Sequence, residues 1–128
     1  MAIVNTVLEA LNDSGSRGNG VVRYGVVGAT SGTSAATVRA AQTGKQIYCK
    51  GQISASSACR IDFKSAADGT VVRTLFFLAK GTMIVRPFAT KAGELLEIKS
   101  DTDVTLAGEL LTMDVASGQV VPPGWHPE

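Results

Sequence analysis

The stretch that decides the fold is ACRIDFKSAADGTVVRTLFFLAKGTMIVRPFATKAGELLEIKSDTDVTLAGELLTMDV, Ala58 to Val115. It is a series of short apolar runs, each closed by a turn signal: Ala67-Asp68-Gly69, Lys80-Gly81, Ala92-Gly93 and Ser100-Asp101. Short strands at this spacing are the mark of an all-β sandwich or barrel. Cys59, Ile61 and Phe63 alternate with Arg60, Asp62 and Lys64, the period of two expected of a half-buried strand. Asp68-Gly69 then signals a hairpin.

The following run, Thr70 to Ala79, is apolar on both faces. Phe76 and Phe77 must point opposite ways. One enters the core, and the other requires cover from a sheet edge, a loop or another subunit. Pro87 has no N–H to give a ladder, so the strand Thr82 to Phe88 ends there or lies on an edge. Gly93 to Ser100 sends Leu96 and Ile98 inward, with Leu95, Glu97 and Lys99 outward. From Asp103 to Val115 the apolar parity changes, from Val104 and Leu106 to Leu111, Met113 and Val115. That change predicts a bulge at Gly108 to Leu110 in a long, bent last strand.

Upstream, Lys45 to Ala55 places Ile47, Cys49, Gly51 and Ile53 on one face of a strand, with Tyr48 and Lys50 on the other. Val21 to Ala29 reads as a strand with a bulge at Gly25, and Ser34 to Ala41 as a weakly patterned one. Ile3, Val4, Val7, Leu8 and Leu11 fall at the spacing of one helical face, so Ala2 to Leu11 is predicted to be a short helix. So short a helix must rest its apolar face on its own domain or on a neighbour. Asn12 to Gly20 is a Gly/Ser-rich linker that matches no phosphate-loop pattern. Beyond Val115, Pro122, Pro123 and Pro127 predict an extended tail, partly polyproline II. The tail holds the sole tryptophan, Trp125, as a candidate anchor on another surface. The chain thus divides into an arm and linker (1–20), a β-sandwich (21–115) and a C-terminal tail (116–128).

Composition sets further bounds. The 128 residues are enough for one domain with a real core, and only 18% are charged against 45% hydrophobic. Soluble domains average about a quarter charged, so part of this surface is expected to be hidden in an oligomer or partner. Net charge is +1, which gives no global attraction to nucleic acid. Arg17, Arg23, Arg39, Lys45, Lys50 and Arg60 form a stretch without acidic residues, which either faces an acidic partner or scatters over several strands. Cys49 and Cys59 read as buried free thiols. The first residues lack the features of a signal peptide, and no apolar run is long enough for a membrane span, so folding in a cytoplasm is expected. His126 stands alone in the tail, no nucleophile elbow occurs, and Asp101 and Asp103 lack the companions of a calcium loop. The expectation is a protein that is not an enzyme and needs no cofactor or metal.

The series from Ser54 to Val115 resembles the head decoration, or cement, proteins of tailed bacteriophages. The likeness rests on Asp68-Gly69-Thr70, Gly81, Pro87-Phe88, Ala92 to Glu94, Val104, Gly108 and Val115. It covers about half the chain, through turn and core positions. It implies a jelly-roll-like antiparallel sandwich, a homotrimer, and a place on the capsid surface of a virion assembled in the host cytoplasm. There it would tie neighbouring major capsid proteins together, with no direct nucleic-acid or membrane contact. On that reading Ile3, Val4, Val7, Leu8 and Leu11 dock on a partner, Pro122, Pro123 and Trp125 form a strap, and one of Phe76 and Phe77 packs between subunits. The competing reading is a receptor- or glycan-binding jelly roll of a tail fibre or baseplate. A metal-dependent cupin would need more histidines than the chain has.

Overall fold

The computed structural model describes residues 3–12, 20–29, 35–121 and 123–127. Its strands are β1 (Ile3–Asn12), β2 (Gly20–Ala29), β3 (Ala36–Arg39), β4 (Lys45–Ala55), β5 (Cys59–Ser65), β6 (Thr70–Phe77), β7 (Gly81–Ala89), β8 (Leu96–Ser100) and β9 (Leu106–Ala116). They build two antiparallel sheets, one ordered β1-β2-β9-β4-β7 and the other β3-β8-β5-β6.

The core lies between the sheets and follows the alternation of each strand. β4 contributes Ile47, Cys49, Ile53 and Ala55; β5 contributes Cys59, Ile61 and Phe63. Leu96 and Ile98 of β8 and Leu106 and Leu110 of β9 complete its centre, and Phe63 stacks tilted on Phe88 with ring centroids 5.0 Å apart. With few aromatics, the core is filled mainly by branched aliphatic side chains, which suit a pleated surface. Cys49 and Cys59 are both buried and unpaired, as the sequence predicts. The Asp68-Gly69 signal is realised as the β5–β6 turn, where Ala66 and Asp68 take positive φ and Gly69 N donates to Ala66 O at 3.0 Å.

Three expectations are overturned. Ile3–Asn12 is not a helix but a strand, paired with β2 from Ile3↔Ala29 to Asn12↔Gly20. Its apolar spacing fits a helix, yet Ile3, Val4, Thr6 and Val7 are β-branched, and β2 supplies a ladder that a marginal helix would lack. Gly25 is no bulge: it pairs in register with Thr6 and with Glu109, and the irregularities of this hairpin flank it. The predicted bulge at Gly108 is also absent, because β9 runs in unbroken register against β4 from Ala116↔Lys45 to Leu106↔Ala55.

The change of parity along β9 has another cause. Even positions (Leu106, Leu110) enter the inter-sheet core, and from Leu111 onward the outer face is covered as well, so odd positions there (Met113, Val115) belong to a second apolar cluster. A parity switch does occur in β7. Its register against β4 slips between Val85↔Gly51 and Phe88↔Cys49, and both Val85 and Phe88 are buried in the core. The slip falls at Arg86-Pro87 on the outermost strand of the sheet, where a proline can sit without breaking a ladder.

Gly51 and Gly108 mark a close approach of β4 and β9. A Cβ on Gly108, whose φ is +131°, would collide with the Gln52 carbonyl, and one on Gly51 would collide with the Glu109 carbonyl. No helix long and apolar enough to cross a membrane occurs among the described residues.

Candidate functional site

β6 and β7 are the outermost strands of their respective sheets and lie on the same side of the sandwich. Arg73 of β6 joins them by donating from Nη2 to Pro87 O at 2.8 Å. Among the residues whose side chains are described, this side carries most of the exposed large apolar ones. Phe76 is 64% exposed, Ile84 72% and Leu78, in the connection, 94%, with Val71 further along β6. Phe77 is the phenylalanine that enters the core, and Phe76 is the one left outside. Phe76 and Val71 stand on the outer face of the smaller sheet, opposite Arg60 and Lys64, and Ile84 on the outer face of the larger one, opposite Gln52, with Leu78 in the connection between the two strands. Large apolar side chains left in water on both faces at one side of a sandwich are candidates for an interaction surface.

A second feature lies on the outer face of the larger sheet. Tyr48 of β4 pairs with Met113 of β9 and with Ala89 of β7, so the three side chains share that face. Met113, Tyr48 and Val115 are buried there because Trp125 folds back over them, with Ala89, Leu111 and Val121 at the margin. The Lys50 ammonium holds the tail in two ways: Nζ donates to Gly124 O at 3.1 Å and lies 4.5 Å from the centre of the Trp125 ring. Removing such an aromatic from water is worth about 1.5–3 kcal/mol, and a cation over its face adds about 0.5–1 kcal/mol. Turns fold the tail back. Gln119 N donates to Ala116 O at 3.1 Å, and Gly118 and Gly124 hold φ of +87° and +88°. The tail is therefore not extended throughout, and Trp125, expected on another surface, is seated on its own sheet.

Between these features lies an open groove of about 500 Å³, floored by the Gly51–Gly108 approach and rimmed by Gln52, Ser54, Ile84, Glu109 and Leu111. Its mixed polar and apolar rim and its shallow form present no set of convergent catalytic groups. Among the described residues no three His, Cys, Asp or Glu side chains gather as metal ligands.

The remaining predicted positions are spread out. Ile3, Val4, Val7, Leu8 and Leu11 lie along β1, the outermost strand beside β2. Pro122 lies outside the described residues, and Pro123 is exposed in a turn. The basic stretch does not form one surface. Arg39 turns inward to Thr112 and Asp114, Lys50 holds the tail, and Arg60 binds Asp62 on the outer face of the smaller sheet. Asp62 and Glu97, read as outward strand positions, do point away from the core but are largely buried. Asp62 accepts from Thr74 Oγ1 at 2.9 Å and Glu97 from Asp68 N at 3.1 Å, so both serve the fold.

Burial raises the Cys49 thiol far above its ordinary value. Cys59 is raised by burial first and by the Asp101 charge second, against a hydrogen bond with Ser100. Neither thiol is primed as a nucleophile. Sequence reasoning missed the Lys50–Trp125 contact, because a cation and an aromatic so far apart in the chain carry no shared pattern. No protein-family model matches the chain, and no curated protein matches it.

Proposed function

We propose that the chain is a capsid decoration protein: a jelly-roll sandwich that self-associates, as a trimer, through its β6–β7 side and binds the outer surface of a phage head across neighbouring major capsid proteins. The observation that carries this reading is the exposure of Phe76, Leu78 and Ile84 around the β6–β7 side, large apolar side chains that a monomer leaves in water. Two further points support it. The order β2-β9-β4-β7 over β3-β8-β5-β6, with the chain from β2 onward crossing between sheets at each connection except the β5–β6 hairpin, is the arrangement expected of two interleaved Greek keys. The turn and core positions that resemble decoration proteins, Asp68-Gly69, Pro87 and Gly108, sit at the hairpin, the β7 slip and the β4–β9 approach.

The physical logic is multivalency. A clip that touches two or three capsomers gains effective concentration from every contact after the first, without any catalytic group. Co-purification with icosahedral particles tests the proposal. The protein should remain with particles through washing, at a copy number that is a simple fraction of the major capsid subunits. A protein that sediments as a monomer at micromolar concentration and leaves the particles on washing would remove the reading.

A further inference from the structure

We infer that the Trp125 seat is an exchange site, in which the tail of one copy occupies the Tyr48–Met113–Val115 patch of another copy in the assembled protein. The inference goes beyond decoration and uses the self-association proposed above only to bring copies close. Its basis is the local character of the contacts. Among the residues whose side chains are described, those that hold Trp125 come from the outer face of β4, β7 and β9 and from Val121 of the tail itself: Lys50, Tyr48, Ala89, Leu111, Met113 and Val115. None of these contacts depends on which copy supplies the tail.

The connection also has slack. Ala116 and Trp125 are nine positions apart and could span about 30 Å when extended. Yet Trp125 packs against Met113 and Val115, next to the point where β9 ends, and the intervening length is taken up in turns at Gly118 and Gly124. Ser117 to Val120 are exposed, so opening the first turn uncovers little apolar surface. Exchange of an identical segment keeps its contacts and changes only the connection, which makes it a low-cost route to oligomers. The seat extends to Ala89 on β7, the strand that also bears Ile84, so a copy docked along that side lies within reach.

The lone tryptophan supplies the test. An acceptor chain ending at Gln119 keeps the seat and contains no tryptophan. A donor chain keeps the tail but carries Tyr48→Asp, or in a second version Lys50→Asp, both on the outer face and outside the inter-sheet core. The donor alone should show red-shifted, solvent-exposed emission. Adding acceptor should return the emission to the wild-type maximum, saturably, at a donor-to-acceptor ratio of one. A mixture that co-sediments but keeps red emission overturns tail exchange while leaving self-association intact. A mixture that neither co-sediments nor shifts overturns both.

Discussion

Arg39 and Asp114 close the sandwich from opposite sheets: Arg39 Nη2 of β3 lies 2.8 Å from Asp114 Oδ2 of β9, while Nη1 donates to Thr112 Oγ1 at 2.7 Å. Both side chains are nearly buried, and Asp114 Oδ1 is buried without a hydrogen-bond partner among the described residues. Removing one partner strands a charge. Arg39→Met should destabilise the fold by about 3 kcal/mol in urea unfolding, whereas Arg39→Met with Asp114→Leu should recover much of that loss. A double variant less stable than either single one would contradict this account.

The two faces of β6 should behave oppositely. Phe77→Ala opens the core and should cost about 3–5 kcal/mol. Phe76→Ser and Leu78→Ser, at exposed positions, should shift stability by no more than about 0.5 kcal/mol. The same pair should lower the sedimentation coefficient to that of a monomer if the edge joins subunits. Unfolding and sedimentation on the same samples separate the two effects.

Glycine substitutions should rank by space. Gly108→Ala meets the Gln52 carbonyl at a positive φ and should cost more than about 2 kcal/mol, with loss of soluble yield as the extreme outcome. Gly44, at φ +74° with nothing within 4 Å of an added Cβ, should lose only about 1 kcal/mol on replacement by alanine. Equal thermal shifts for the two would refute the close approach as the cause.

Lys50→Ala should weaken the tail's seat without touching the inter-sheet core. The expected loss is about 1 kcal/mol, with a red shift of tryptophan emission as Trp125 becomes wetter. Unchanged emission would show that the apolar seat alone holds the ring.

Stability should also fall on the alkaline side. Below 9.0, the ordinary value for the thiol, Cys49 is protonated whether folded or not. Above it the unfolded chain releases that proton and the folded chain keeps it, so folding weakens by about 1.4 kcal/mol per pH unit until the folded thiol ionises. Cys49→Ala should reduce that slope, leaving the part due to Cys59, whose thiol is also raised, while lowering stability at neutral pH. Urea midpoints on either side of pH 9.0 measure both.

The middle of the chain was legible because its rules are local. The alternation of Cys59, Ile61 and Phe63, the turn at Asp68-Gly69 and the edge position announced by Pro87 all act within a few residues, and all hold in the structure. The ends were not. Ile3, Val4, Val7, Leu8 and Leu11 satisfy a helical spacing as well as a strand, and only the ladder with β2 decides between them. The shift of parity along β9 was visible, but a bulge and a strand covered on both faces leave the same mark. The cover is Trp125, which lies beyond a run of prolines. Of the candidate surfaces, the two-sided run Thr70 to Ala79 predicted an uncovered phenylalanine. Which one it is follows from the register Cys59↔Phe77 and Arg60↔Phe76, which no local pattern encodes.

The ends of the chain are anchored to the larger sheet in different ways. β1 is its outermost strand and has one neighbour, whereas β9 lies between β2 and β4. A pull on the N-terminus, directed away from the sheet, would unzip β1 one ladder bond at a time. A pull along β9 from its C-terminal end must shear two ladders together, since Ala116 to Leu106 is paired throughout with β4 and Met113 to Gly108 with β2. As a mechanical element the protein is therefore compliant at its start and stiff at its end, and any load carried through the tail is delivered to the strongest part of the sheet.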